Sequence, residues 1–228
     1  FPTRRSSDLI APNLEALGSE LVKCIGQTFQ MLIISGVIAF VLGLFLGVLL
    51  IVTKSDGIMA NPVLYKILDK IIDVIRSIPF IILMVLLIPV SRALVGTGSG
   101  VTGSYVALIA GTVPFFARQI ESVLADVDYG LVEASASMGF SPLEIIFSVY
   151  LKESIPGITR VTMITFVSLI GITAMAGAIG AGGLGDFAIR YGYQMGYRDM
   201  IWVTVIIILI IISVIQGVGN LIIRRTTH

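Results

Sequence analysis

Three glycines, Gly180, Gly182 and Gly185, have the spacing of the fingerprint that binds dinucleotides. That fingerprint holds a pyrophosphate only where it follows a β-strand and opens a helix. These glycines instead follow a long apolar stretch, so we predict a tight turn at the exit of a membrane helix. The sequence also lacks the Gly-x-x-x-x-Gly-Lys-Ser/Thr phosphate loop. We therefore expect any energy taken from ATP to come through another subunit.

Side chains that serve catalysis or metal binding are scarce. Cys24 is the only cysteine and His228 is the only histidine, so an internal disulfide or a cluster of thiol and imidazole ligands is excluded. The apolar stretches contain few acidic or basic residues. Proton-driven transporters and intramembrane hydrolases depend on such groups. We predict no catalytic, cofactor-binding or metal-binding residue, and a chain that is not itself an enzyme.

The longest stretch between apolar segments, about residues 118–160, has the signals of two short helices. Asp128 is suited to begin the first helix and Gly139 to end it. Ser141 and Glu144 have the spacing of a capping box for the second helix, with a proline at its first position. We therefore predict two short helices with a sharp bend between them.

The first of these helices has four consecutive small residues: Ala134, Ser135, Ala136 and Ser137. Small side chains give a smooth surface that a groove of another protein can close around. The alternative is an amphipathic helix lying on lipid, but such helices carry bulky apolar residues opposite Lys or Arg. Acidic and small residues in this segment favour the docking interpretation.

Composition assigns the chain to the membrane proteins. It has 228 residues, of which 56% are hydrophobic and 13% charged, and its mean hydropathy is +1.01. Soluble domains are usually about 25% charged. The net charge of +1 gives no reason to expect a nucleic-acid partner. We predict an all-α polytopic membrane protein with five transmembrane helices, in the charge-free windows 24–53, 77–91, 93–117, 161–185 and 200–223.

These windows define the domain organisation. Residues 1–20 are predicted to be an extracytoplasmic tail and residues 21–225 a single transmembrane domain. The first nine residues are polar and unlike a signal peptide, so we interpret them as a remnant replacing the native start. The second window is short, so its helix is expected to begin near Asp69. Two glycines in the first window, Gly43 and Gly47, have a spacing that permits close helix approach.

Basic residues predict the orientation, because cytoplasmic loops carry an excess of Lys and Arg. With the C-terminus inside, nine basic residues lie in inner segments: Lys54, Lys66, Lys70, Arg76, Arg118, Lys152, Arg160, Arg224 and Arg225. Four lie in outer segments, with Arg4 and Arg5 of the suspected remnant left out of the count: Lys23, Arg92, Arg190 and Arg198. The chain is therefore predicted to have its N-terminus outside and its C-terminus inside.

The stretch from Glu133-Ala134-Ser135 to Gly139 resembles the EAA motif of ABC importer permeases. In that family the motif forms a coupling helix that sits in a cleft of the cytoplasmic ATPase. The resemblance implies that these four residues couple the chain to an ATPase. The sequence departs from the family pattern at Ser135, where alanine is usual, and at Lys152, where the motif has proline.

The likeness extends from about residue 25 to 225 and is greatest with methionine importer permeases. It is carried by residues 76–82, 114–118, 180–185 and 191–193. It implies a multi-pass protein of the bacterial inner membrane that transports methionine, in the L and D forms. It also implies a homodimer, two ATPase subunits that bind ATP and Mg²⁺, and an extracytoplasmic methionine-binding protein.

The resemblance further implies a substrate path beside Met175, with Ala174 and Gly177 among the small residues of its wall. Met163, on the same span, is expected to be an ordinary packing residue. Two other functions stay open from the residues alone: an ABC permease for another small polar solute, and a small channel or scaffold outside that family. A channel has no need for a small-residue docking helix.

Overall fold

The computed structural model describes residues 13–226, and every described element is helical. The suspected remnant at residues 1–9 and His228 lie outside the described residues. The helices are α1 (Leu14–Thr53), α2 (Pro62–Ser77), α3 (Phe80–Leu86), α4 (Ile88–Val95), α5 (Gly100–Ala125), α6 (Tyr129–Ser137), α7 (Pro142–Ile145), α8 (Leu151–Glu153), α9 (Ile155–Ala176), α10 (Gly183–Phe187) and α11 (Arg198–Thr226). Three π-helical segments occur between them: π1 (Ile146–Tyr150), π2 (Gly177–Ala181) and π3 (Ala188–Gln194).

Four helices in the described part of the chain are long and apolar enough to cross a membrane. They are α1, α5, α9 with π2, and α11. They fall in four of the five predicted windows. Helix α1 begins ten residues before the predicted first window, so residues 14–20 of the predicted tail are helical.

The expectation of one helix from near Asp69 through the second window is wrong. Helix α2 ends at Ser77, and Ile78 is extended, with ψ of 123°. Pro79 accounts for this break, because proline disfavours helical geometry at the residue before it. A second break lies at Leu87, just before α4, which has a proline in its first turn. Counting charge-free residues cannot detect such breaks.

The chain forms two compact units. The first contains the described residues up to Gly36 together with Phe80–Leu108 and Val167–Ile215. The second contains Val37–Pro79, Ile109–Phe166 and the described residues from Gln216 onwards. The predicted coupling segment lies in the second unit, and the exit from π2 lies in the first.

In the second unit, α1 and α5 approach closely at the two glycines of the first window. A Cβ atom on Gly43 would lie 2.7 Å from Phe116 Cδ1, and one on Gly47 would lie 2.6 Å from Ile120 Cβ. Phe116 and Ile120 are almost fully buried. The glycines therefore permit this helix pairing, as their spacing predicted.

Candidate functional site

Helix α6 is fixed at both ends by local hydrogen bonds. At its start, the Gly130 amide donates to Asp128 Oδ1 at 2.8 Å. At its end, the Phe140 amide donates to the Ser135 carbonyl at 3.2 Å and the Gly139 amide to the Ala136 carbonyl at 3.0 Å. This pair of bonds is a Schellman motif, which places Gly139 at a left-handed φ of +86°. The predicted cap and stop are both confirmed.

The inner face of α6 is anchored in the core of the second unit. Val132 is 2% exposed and packs in a cluster that includes Ile145, Val149 and Tyr150. Ser135 is also buried, and its hydroxyl donates to the Leu131 carbonyl at 2.8 Å. An apolar contact thus holds α6 against the following helical segment.

Three of the four residues predicted to couple to an ATPase lie at the surface: Glu133, Ala134 and Gly139. Ser135 does not, because it is on the buried side of α6. Within the small-residue run, Ser135 is buried, whereas Ala134, Ala136 and Ser137 are exposed.

Bulky apolar side chains are also exposed in this segment. Met138 is 68% exposed, Leu143 64% and Phe147 67%. We call Ala134, Ser137, Met138, Leu143 and Phe147 the coupling surface. Exposed apolar groups of this size mark a surface that another protein or the membrane covers. Sequence reasoning identified the small residues but missed the three bulky ones.

The second helical segment begins with the predicted capping box. The Ser141 amide donates to Glu144 Oε2 at 2.7 Å, and the Glu144 amide donates to Ser141 Oγ at 3.4 Å. The Ser141 hydroxyl also donates to Glu144 at 2.7 Å. Hydrogen bonds from the Ser141 hydroxyl and amide lower the pKa of the Glu144 carboxyl. The box sets where the second helix starts and therefore where the bend lies.

The second segment continues through π1 and α8 and ends at Ser154, where φ is −89° and ψ is 2°. Helix α9 then begins with Pro156 in its first turn. A Cβ atom on Gly157 would lie 2.6 Å from Val123 Cγ1, so this glycine allows α9 to approach α5. Lys152, which replaces the proline of the family motif, is exposed in α8. The bend follows two residues later.

An ionic cluster between α2 and α5 stabilises the same unit. Arg118 donates to Asp69 at 2.7 Å, to Asp73 at 2.9 Å and to Glu121 at 2.7 Å. The Tyr65 hydroxyl donates to Glu121 at 3.2 Å. Both acids of α2 in this cluster therefore face α5.

The exit from π2, in the first unit, is a tight turn. Gly180, Gly182 and Gly183 have φ values of +95°, +85° and +79°. Gln27 Oε1 accepts a hydrogen bond from the Gly183 amide, and Thr28 Oγ1 accepts one from the Leu184 amide, both at 2.8 Å. No strand precedes this turn among residues 13–226, so the fingerprint lacks the context for dinucleotide binding.

Charged residues of the first unit surround that turn. Arg190 donates to Asp186 at 2.7 Å and to Glu20 at 3.4 Å. Its guanidinium also lies 4.8 Å from the centre of the Tyr191 ring. These contacts tie the start of α1 to α10 and π3.

The residues predicted to line a path lie on two sides of the helix. Met175 is 42% exposed. Ala174 is half-buried, and its backbone contacts Gly185. Gly177 is buried against Gly182 and Asp186, behind the exposed surface. Met163 packs over Gly219 in the second unit, as expected of a packing residue.

A family model described as "binding-protein-dependent transport system inner membrane component" matches residues 39–228. The chain is 44% identical over 214 residues to the probable D-methionine transport system permease protein MetI of Vibrio cholerae, covering 93% of this chain and 95% of that protein. It is 41% identical to the methionine import system permease protein MetP of Bacillus subtilis, covering 76% of this chain and 78% of that protein.

A solved structure described as an inward-facing conformation of the MetNI methionine ABC transporter has the same fold. Its TM-score is 0.91 at 40% sequence identity, with 94% of this chain and 99% of that chain covered. Sequence and fold agree over nearly the whole length of the protein. The chain belongs to the binding-protein-dependent transport system inner membrane components, as a multi-pass permease subunit of the methionine ABC transporter type.

Proposed function

We propose that this chain is the membrane-spanning permease of an ATP-driven importer of methionine, in its L and D forms. The names of the relatives support methionine over another small polar solute. Family membership sets aside the channel or scaffold alternative. The permease performs no covalent chemistry, and ATP is bound by a separate ATPase subunit.

The coupling surface is the observation that carries this proposal. It combines an exposed small face on α6 with exposed Met138, Leu143 and Phe147. Caps at Asp128 and Gly139 hold α6 rigidly, so a push on its surface moves the helix as a body. A helix that transmits motion from an ATPase needs both a docking face and a stiff attachment.

The proposed assembly contains two copies of this chain, two cytoplasmic ATPase subunits and one extracytoplasmic methionine-binding protein. When ATP closes the ATPase pair, the two coupling surfaces move together and the permease opens outward. Hydrolysis then returns it to the inward-facing state. A ligand that binds one state more tightly shifts the population towards that state, which is how ATP drives the cycle.

The excess of basic residues supports an orientation with the N-terminus outside and α6 in the cytoplasm. Met175 is proposed as the narrow point of the substrate path. Ala174 and Gly177 support it from behind, because the first is half-buried and the second buried. No basic or acidic residue lies within α9 beyond Arg160, so the path offers little to bind the charges of an amino acid. Affinity therefore comes from the external binding protein.

A cysteine cross-linking experiment tests the docking. Ser137→Cys is placed on the coupling surface and Ser135→Cys on the buried side of the same helix, both in a Cys24→Ser background. With a short bifunctional reagent, the Ser137 variant should join the ATPase in the purified complex and the Ser135 variant should not. If both variants fail to cross-link although the complex is intact, α6 is not the docking helix.

A further inference from the structure

Helix α2 has three distinct faces along its sixteen residues. The inner face contains Leu68 and Ile72, and Ile72 is only 3% exposed. It packs on Leu46 and Leu50 of α1 and on Ala117 of α5. These contacts all lie within the second unit and hold α2 firmly on one side.

A second face is an apolar stripe whose side chains are about half exposed or more. Val63 is 69% exposed, Ile67 52%, Ile71 52% and Val74 49%. Successive members are four, four and three residues apart, so they align along one side of the helix. Aliphatic groups in a continuous exposed row are unfavourable in water and require a covering.

The third face carries the charges of α2, and its acids are already neutralised. Asp69 and Asp73 both accept from Arg118, and Arg76 lies 3.9 Å from Asp73. Lys66 and Lys70 are exposed and form no salt bridge within residues 13–226. Each follows a stripe residue by three positions, so the lysines border the apolar stripe.

The depth of α2 follows from its neighbours. Leu46 and Leu50 belong to the last two turns of α1, a helix long and apolar enough to cross a membrane. Arg118, on the other side, is two turns from the end of α5. Spanning helices place their charged side chains where hydrocarbon gives way to headgroups. Helix α2 therefore lies at the depth where the hydrocarbon of the bilayer meets the headgroups.

We propose that α2 lies in the bilayer interface, with its apolar stripe in the acyl region and with Lys66 and Lys70 bound to the phosphates of anionic phospholipids. The arrangement of an aliphatic stripe bordered by unpaired lysines is the one that interfacial helices use. A second copy of the chain is a poorer occupant. A stable protein interface takes about 20–30 residues a side, far more than this narrow stripe offers.

The test uses nitroxide labels on the intact transporter complex in liposomes. Single cysteines replace Ile67 or Lys66 (Ile67→Cys, Lys66→Cys) in a Cys24→Ser background. Relaxation by oxygen reports lipid exposure, and relaxation by a water-soluble nickel complex reports water exposure. We expect the label at 67 to respond mainly to oxygen and the label at 66 mainly to nickel. Adding phosphatidylglycerol to phosphatidylcholine should deepen the label at 67.

The lysines are tested by Lys66→Gln with Lys70→Gln, in the Ile67→Cys protein. This pair should abolish the deepening that phosphatidylglycerol causes, whereas Lys152→Gln, a change at another exposed lysine, should preserve it. The thermal midpoint of each variant shows that it is folded. The amount of ATPase subunit that copurifies with it shows that the complex is assembled. A label at 67 sealed from both reagents would mean a protein partner. Strong nickel access there, or a deepening unaffected by the glutamines, would equally overturn the proposal.

Discussion

At the scale of single residues, the coupling surface depends on backbone geometry at one position. Gly139 has a φ of +86°, and no atom lies within 4 Å of where its Cβ would be. A side chain at this position therefore meets no steric obstacle, and its whole cost comes from the left-handed backbone. Residue type predicted this position, because glycine is the residue that most readily adopts such a φ.

Replacements of Gly139 should destabilise the end of α6 by amounts that depend on how well each new residue tolerates the left-handed backbone. Gly139→Asn should cost about 1 kcal/mol, because asparagine tolerates the left-handed region. Gly139→Val should cost more, about 2 kcal/mol, and should sharply reduce ATP-driven uptake. Ser137→Ala, which keeps a small side chain at an exposed position of the coupling surface, is the control and should change little. The thermal midpoints of the purified complexes and their uptake rates measure this.

If Gly139→Val matched Ser137→Ala in both the thermal midpoint and the uptake rate, the Schellman end of α6 would be irrelevant to coupling. An intermediate position for Gly139→Asn distinguishes backbone strain from a loss of contacts, since both variants add a side chain to open space.

At the scale of elements, the sequence predicted the coupling segment better than the second span. Asp128, Gly139, Ser141 and Glu144 act on backbone groups within a few residues, so their types and spacing suffice. The charge-free windows do not show the breaks at Ile78 and Leu87, because they record charge and not backbone geometry. The burial of Ser135 was missed for a different reason: it depends on which face of α6 meets the core.

The turn after π2 shows the limit of local patterns most clearly. The glycines of this turn can be recognised in the sequence. The side chains that stabilise it are those of Gln27 and Thr28, which lie 156 residues away from the amides that donate hydrogen bonds to them. Nothing in the spacing of the glycines predicts that pairing. A polar pair inside the first apolar window was the one available signal.

Thr28→Val should therefore destabilise the protein more than the same change elsewhere. It leaves the buried Leu184 amide without its acceptor, which costs about 1–3 kcal/mol. Thr204→Val is the matched control. Thr204 is equally buried, and its hydroxyl donates only to the Met200 carbonyl of its own helix. That change should cost about 1 kcal/mol or less. Equal losses in thermal midpoint would show that the Thr28 contact does not hold the turn.

At the scale of the whole molecule, the account rests on orientation. Gly192, in a segment proposed to lie outside, is a poor labelling site, because a Cβ there would collide with Ile201. Tyr193 is 77% exposed and suits the purpose. Ser137 is exposed on the coupling surface, and Met175 lies on the proposed path.

Single cysteines at Tyr193, Ser137 and Met175, in a Cys24→Ser background, should differ in their labelling by an impermeant thiol reagent in intact cells. The site at 193 should react, and the site at 137 should react only after the cells are opened. The site at 175 should react in one nucleotide state of the purified complex and not in the other. Labelling of both 193 and 137 in intact cells would refute the orientation. A site at 175 sealed in both states would make Met175 a packing residue.

The most direct test of the central claim is methionine uptake by proteoliposomes that contain the permease, its ATPase and the external binding protein. Ala134→Trp adds bulk to the exposed face of α6, and Val22→Trp adds the same bulk at a site 67% exposed on α1. The account predicts ATP-dependent uptake by the unaltered protein and by the Val22 variant. It predicts loss of uptake, with membrane insertion intact, in the Ala134 variant. Unchanged uptake by the Ala134 variant, or uptake without ATP, would contradict it.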